Sequence, residues 1–391
     1  MHFVFLSSVC SSKEYERIVS RRKIQSIDSS QFFYSMFLKE LANNPNNSVD
    51  VVSFRPVSSS TYDGILLKGV LDFENGIRYH HLKSLNIPLL QSVFAKHSAK
   101  RLLKRIITKD SIIICDGLNL AAMKSIKKYL HTNLCSCFLT DLPCFSTEQD
   151  KMSSFKRFLY LSYNKKATSF IKLFKKHIVL TDAMANYLKI DNYLVVECFS
   201  SKNDYAVLDC KKKFNRSKTV VYAGKLHKEF GLDVLLDSLK FVKSKFELQL
   251  YGEGNFTDCI KQACKIDERI KYMGLVSNNE MKIIEANAFV VVNPRQSSGE
   301  FTKYSFPSKT AEYLSSGTPL IMFKLPGVPD NYFDYVIRPK EETALSLGET
   351  IDYVLNLSIE EYSSISKAGL DFISSKDVSI QVSKIVKFLL N

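Results

Sequence analysis

Apolar runs without alternation recur along the chain, and most are followed by a segment whose apolar positions lie three and four apart. In the first half, HFVFLSSV (2–9), VDVVSF (49–54), SIIICDGLN (111–119), SCFLTDLP (136–143), HIVLTDAM (177–184) and YLVVECFSS (193–201) read as strands. SSQFFYSMFLKELA (29–42), with Ser29 or Ser30 as its cap, PLLQSVFAKHSAKRLLKRII (88–107) and LAAMKSIKKYLHT (120–132) read as helices. The polar, charged stretch 201–217 reads as a linker, after which the pattern restarts. TVVYAGKL, FELQLYGEG, IKYMGLV, FVVVNPR and PLIMF are strands, separated by the helices GLDVLLDSLKFVKS, NFTDCIKQACKI, NNEMKIIEAN and KTAEYLSSG. Unalternating apolar strands separated by helices predict a parallel sheet covered on both faces. The expected architecture is α/β, with two Rossmann-like doubly wound domains, 1–200 and 218–375, facing a central cleft. Residues 376–391 form a C-terminal helix that could cross back to the first domain.

Charge changes this picture in one half only. Residues 1–200 hold 28 Lys and Arg against 16 Asp and Glu, a net +12, whereas the remaining 26 against 24 leave +2. A basic first half suits nucleic acid, an anionic membrane or an anionic acceptor, or is simply a soluble surface. Nine cysteines without a CxxC or Cys/His cluster argue against a disulfide framework or zinc site and fit reduced thiols in a cytoplasmic protein. No apolar run is long enough to cross a membrane.

Candidate chemistry collects at the ends of the second-half strands. Ligands of such sheets sit beyond the carboxyl ends of the strands. There the sequence places Gly224, Lys225 and Lys228, then Glu253 and Gly254, then Gly274 and Val276, then Arg295. The stretch GEFTKYSFPSKTAEYLSSGTPLI (299–321) follows. It is expected to open a helix near Ser308 and Lys309, with Glu312 in the first turn. Each residue alone is ordinary, a strand-to-turn glycine or a solvated lysine. Taken in order, glycines, cations and a helix start with free N–H groups describe a diphosphate site. Glu312 suits the vicinal hydroxyls of a ribose better than phosphate. No Asp-x-Asp metal anchor is present, so neither metal nor any cofactor beyond the donor substrate is expected.

YAGKLHKEFGLDVLLDSL, YGEG, YMGLV, NPR and SFPSKTAEYLSSGTPLI resemble the C-terminal domain of family 4 glycosyltransferases, which have the GT-B fold. The nearest likeness is to bacterial capsular and exopolysaccharide transferases with an FPSK segment. The match covers 218–330, with looser echoes in the first half through SSQFF, CDGLN, TDLP and VLTDAM. The resemblance implies a retaining hexosyltransferase using a nucleoside diphosphate sugar. Lys225 and Lys228 would contact the diphosphate, Glu312 the ribose, and loop 273–276 the base. Two positions depart from the family. Tyr304 stands where the first glutamate of the paired motif belongs, leaving Glu300 or the backbone N–H groups of Ser305 and Phe306 to hold the sugar. Phe230 stands where a basic residue should precede Gly231, with Lys228 as the proposed substitute.

The acceptor is expected on the first domain, with Asp141 orienting its hydroxyl and Asp116 as a second candidate, both at predicted strand ends. Residues 155–176 read as a basic amphipathic helix, Phe155, Leu159, Tyr163, Phe170 and Phe174 on one side and Arg157, Lys165, Lys172, Lys175 and Lys176 on the other. Such a helix can rest on an anionic membrane. The implied partners are a nucleotide-sugar donor, a glycan or polyprenyl-diphosphate-linked glycan acceptor, and that membrane surface, with no nucleic acid. The implied role is polysaccharide synthesis, in the cytoplasm or at the inner membrane face. Rival readings are a nucleotide-sugar 2-epimerase on the same fold and a basic nucleic-acid-binding protein.

Overall fold

The computed structural model describes all residues except 23–28, 89, 144–152, 202–213 and 215–216. The expected linker therefore lies outside the described residues, apart from 201, 214 and 217. The chain divides into two compact units, one of Met1–Glu197 with Val378–Asn391, the other of Cys198–Asp377.

The first unit is built on an eight-stranded sheet. Its strands are β1 (His2–Ser7), β2 (Ser48–Ser53), β3 (Val70–Glu74), β4 (Ile77–His81), β5 (Ile112–Asp116), β6 (Leu134–Leu139), β7 (Lys176–Val179) and β8 (Tyr193–Val195). They lie in the order β8-β7-β6-β5-β1-β2-β4-β3, all parallel except the β3–β4 pair. Its helices are α1 (Ser12–Val19), α2 (Ser29–Asn43), α3 (Leu90–Ile106), α4 (Leu120–Ser125), α5 (Ser154–Ile171) and α6 (Asp182–Leu188). Strands such as IIICD are buried at every position because helices cover both faces. The antiparallel hairpin was not expected, although Asn75 and Gly76 mark it. Both take positive φ, 51° and 76°, as a tight two-residue turn between twisted strands requires. The TDAM segment is also not strand. Thr181 caps α6, its hydroxyl accepting from the Met184 N–H.

The second unit carries β9 (Thr219–Ala223), β10 (Glu247–Tyr251), β11 (Ile270–Gly274), β12 (Val290–Asn293) and β13 (Leu320–Met322), all parallel, in the order β11-β10-β9-β12-β13. Its helices are α7 (Leu232–Ser238), α8 (Thr257–Ile266), α9 (Asn278–Asn287), α10 (Ser308–Ser315), α11 (Ala344–Leu355) and α12 (Ile359–Ser374). Leu232, Leu235, Leu248, Leu250, Val290 and Val292 form the centre of its core. Capping boxes at Ser277/Glu280 and Ser358/Glu361 set where α9 and α12 begin.

The last helix, α13 (Val378–Leu390), belongs to the first unit, where it packs on α2. Lys176 of β7 donates to the carbonyls of Phe388 (2.7 Å) and Leu389 (3.0 Å). A cation thus meets the negative end of the helix dipole and satisfies carbonyls that the helix leaves unpaired.

A second polar tie joins three strands. Asp50 of β2 is buried and accepts both arms of Arg78 (2.8 and 2.6 Å) and the imidazoles of His2 (2.8 Å) and His80 (2.7 Å). Hydrogen bonds from these groups hold its carboxyl far below the usual aspartate range, against the opposing effect of burial. A carboxylate with a depressed folded pKa stabilises above about pH 4 and loses that contribution as pH falls further. Asp50→Asn should therefore cost about 2 kcal/mol at pH 7. Urea midpoints should differ clearly between wild type and variant at pH 7, and the gap should begin to narrow only as pH falls below about 4.

Candidate functional site

The carboxyl edge of the second sheet is closed by backbone packing. Gly231 sits at φ 78°, and a Cβ there would lie 1.9 Å from the carbonyl oxygen of Pro294. The loop after β9 is thus pressed against the loop after β12, and only glycine fits. Gly254 faces the Leu226 carbonyl, 2.2 Å from where a Cβ would stand. That glycine serves close loop packing, whereas the sequence reading reserved it for ligand approach. Gly274 differs. Its φ is 72° and open space surrounds it, beside the exposed Met273 and Leu275. Val276 is half-buried on the same loop, and Glu253 is exposed.

The cations divide into two kinds. Lys225, beside Gly224, is exposed. Lys228 is 68% exposed and lies 3.7 Å from Asp233. Arg295 is held more firmly. Its guanidinium lies over the rings of Phe230 (4.2 Å) and Phe301 (5.6 Å), and desolvation lowers its pKa. Among the described residues it has no carboxylate partner. Phe230, the departure from the family pattern, thus brings a cation to its own ring from another strand. Sequence reading paired neither Arg295 nor Phe301 with it, because the contact links residues 65 apart.

Next to these lies the start of α10. Pro307 occupies the cap position and no side chain caps the helix. The hydroxyls of Ser305 and Thr310 are buried there without partners. Ser308 is exposed at the first helical position, while the Phe306 ring is buried against Tyr332 at 5.2 Å, which leaves Phe306 only its backbone. A helix start with free N–H groups, two orphan hydroxyls and Arg295 nearby in sequence order on the same sheet edge is suited to an anion.

Lys309 departs from expectation. Its ammonium pairs with Glu285 (3.1 Å) and Glu312 (2.5 Å). Glu285, on α9, is 1% exposed. Burial pushes its carboxyl up to about 7, and the two carboxylates raise the Lys309 pKa. Lys309 is therefore committed to carboxylates. Glu312 lies in the second turn of α10 instead of the first, since the helix starts at Ser308. Glu300 is exposed at the start of the short 3-10 turn Glu300–Lys303.

In the first unit, Asp116 ends β5 but is turned inward, 5% exposed, accepting from the Leu118 N–H at 3.0 Å. Burial pushes its pKa up to about 6, against the lowering effect of that N–H and the Tyr34 hydroxyl. Asp141 lies two residues past β6 with its surface open, accepting from the Leu142 N–H at 2.8 Å. Partial desolvation raises its pKa. A pocket of about 430 Å³ lies near the carboxyl edge of this sheet, its polar lining including Arg22, Ser53, Ser58, Thr61, Gln91 and Asn119. Sequence reading missed it, because its lining comes from loops between 53 and 61, from α3 and from the cap of α4. Arg55 forms part of its wall. Its guanidinium is spent on Glu14 (2.5 Å) and the carbonyls of Leu82 and Lys68 (2.7 Å each).

Helix α5 also differs from its expected form. It ends at Ile171, and its buried stripe is Asn164, Ala167 and Ile171, spaced three and four apart. Leu159 and Tyr163, expected on the apolar side, are exposed, as are Phe158 at 67% and Leu161. Phe174 is buried but lies beyond the helix. The side chain of Phe155 lies outside the described residues.

Residues 217–355 match the family described as Glycosyl transferases group 1. Solved structures with the same fold include a sucrose-phosphate synthase from Thermosynechococcus elongatus. It is 14% identical with a TM-score of 0.70, over 100% of this chain and 99% of that one. An alpha,alpha-trehalose-phosphate synthase (UDP-forming) from Burkholderia xenovorans, solved with glucose-6-phosphate, is 10% identical with a TM-score of 0.67, over 100% of both chains. Anabaena Alr3699/HepE, solved with UDP, is 13% identical with a TM-score of 0.64, over 100% of this chain and 99% of that one. A search of curated proteins by sequence gives no match. Among the described residues no helix is long and apolar enough to cross a membrane. The chain has the GT-B fold of these structures, and residues 217–355 of its second unit carry a group 1 glycosyltransferase domain.

Proposed function

We propose that this enzyme moves a hexosyl group from a nucleoside diphosphate sugar to a glycan acceptor, with retention at the anomeric carbon and without a metal. One observation carries this reading: the uncapped start of α10 joins two orphan hydroxyls, Ser305 and Thr310, on the sheet edge that also holds Arg295, which has no carboxylate partner among the described residues. The diphosphate would sit there, with Lys225 as a solvent-side cation and Lys228 a weaker one. Glu312 would take the ribose and loop 273–276 the base. Departure of the diphosphate is eased by N–H groups, hydroxyls and guanidinium aimed at its growing charge. Retention then needs no strong base opposite the leaving group. The similar structures bound to UDP and, in the Escherichia coli trehalose-6-phosphate enzyme, to UDP-2-fluoro glucose support a nucleotide-sugar donor.

The first unit would supply the acceptor, its hydroxyl oriented by Asp141, with the hydroxyl- and amide-lined pocket as the natural seat for a polyol. Asp116 would act from behind, since its carboxyl is buried. A polyprenyl-diphosphate-linked acceptor of the kind used for capsule or exopolysaccharide synthesis fits the +12 charge of residues 1–200. The exposed Phe158 and Leu161 beside Arg157, Lys165 and Lys166 would then touch the membrane. The protein should float with anionic liposomes at low salt and be released as salt rises. Flotation independent of lipid charge, or none, removes the membrane contact and leaves the transferase reading standing.

Thermal shift with UDP, GDP, ADP and CMP, with and without EDTA, tests the donor site directly. At about 100 times its Kd, one nucleoside diphosphate should add roughly 2.7 kcal/mol of stability, and EDTA should not change it. Arg295→Gln should weaken that ligand by about tenfold to a hundredfold, the loss of a charge-assisted hydrogen bond of about 1.5–3 kcal/mol. No shift with any of the four sinks the donor-site assignment.

A further inference from the structure

Glu285 is a nearly inaccessible carboxylate on a helix that supplies no other group to the site. Its ionic partner is Lys309, at 3.1 Å, and Lys309 reaches on to Glu312 at 2.5 Å. The three groups come from two helices and span buried protein to solvent, Glu285 being 1% and Glu312 37% exposed. Two carboxylates around one ammonium carry a net negative charge, which repels phosphate and suits hydroxyl donors. The bond to Lys309 uses Oε2 of Glu312, and among the described residues no hydrogen bond to Oε1 is formed.

We propose that Glu285 is a positioning residue of the ribose subsite: it anchors Lys309, and Lys309 in turn holds the Glu312 carboxylate with one oxygen presented to the vicinal hydroxyls of the donor. The proposal rests on the reading of Glu312 as the ribose acceptor. A lysine and a glutamate three residues apart on a helix surface attract each other only weakly and keep most of their rotamer freedom. The buried anchor changes this. Lys309 reaches into the protein to satisfy Glu285, which cannot turn to water, so its ammonium is fixed in place. Glu312 then meets a cation that does not move. The arrangement also explains why a lysine one residue into an anion-binding helix is not itself the phosphate ligand.

Protonation of Glu285 should loosen the anchor. The charged groups around it are Lys309 and Glu312 from α10 and Lys282 from its own helix. The hydroxyl of Tyr313 on α10 lies in the field of Glu285, and that of Tyr222 on β9 in the field of Lys309. Because burial pushes Glu285 up to about 7, lowering the pH from 8 to 6 neutralises it in the folded protein.

The test compares UDP, GDP and ADP with their 2′,3′-dideoxy counterparts by calorimetry, on wild type, Glu285→Gln and Lys309→Met. Wild type should prefer the ribose form of its nucleotide by about tenfold or more. In both variants that preference should fall to about twofold or less, while affinity for the dideoxy form stays the same. Between pH 8 and pH 6 the preference should shrink in wild type and stay flat in Glu285→Gln. A general loosening of the fold would weaken both forms equally, and that result overturns the proposal. So does a Glu285→Gln protein that keeps the full preference. If wild type binds both forms equally, the ribose assignment of Glu312 is wrong and the role of Glu285 falls with it. If wild type binds neither form, the donor site itself is wrong. The two failures are thus told apart from failure of the anchor alone.

Discussion

A helix leaves its first N–H groups without partners, and protein chains usually fill that gap with a serine, threonine or aspartate side chain. Helices α1, α4, α6, α9 and α12 follow the rule through Ser11, Asn119, Thr181, Ser277 and Ser358. Helix α10 does not, because Pro307 holds the cap position. The partnerless hydroxyls of Ser305 and Thr310 deepen the same deficit. Helices α5, α7 and α8 also start without a side-chain cap, but α10 adds orphan hydroxyls, and much of the second unit reads as support for that helix start. Parallel pairing of β9, β10, β12 and β13 brings their carboxyl ends to a single edge, and the contact of Gly231 with Pro294 holds two of the edge loops together.

The charges around this helix start are sorted by what they can reach. Arg295 is removed from water by two aromatic rings and has no carboxylate among the described residues to neutralise it, so it retains its attraction for an anion. Lys309 is neutralised twice over. Two cations that look equivalent in a sequence therefore do opposite work. One keeps its charge unspent at the sheet edge, and the other is spent on internal order.

Much of the fold was legible because it rests on local pattern. IIICD, VVVN and the capped NNEMKIIEAN fall where periodicity and capping put them, for the reason that burial of a parallel strand and satisfaction of a helix end are short-range demands. The Asn75-Gly76 hairpin carried an equally local signal that was passed over. The face of α5 was misread because its buried stripe runs through Asn164 and Ala167, one polar and one small, while Phe158 and Leu161 stay outside. At the site, the helix start and its neighbouring glycines could be read in order along the chain. The partners of Lys309 and Arg295 could not. Glu285 lies 24 residues from Lys309, and no spacing rule connects a helix to the strand-end loop beside it.

The return of α13 to the first unit has a consequence for how the protein comes into being. The Lys176 ammonium waits for carbonyls of Phe388 and Leu389, more than two hundred residues downstream. During synthesis the first unit emerges early but lacks this helix, and the face of α2 that receives it stays uncovered while all of Cys198–Asp377 is being made. The domain begun first is thus the domain finished last. Its completion reports that the second unit has already been translated in full, an order of assembly written into the chain by one helix that comes home.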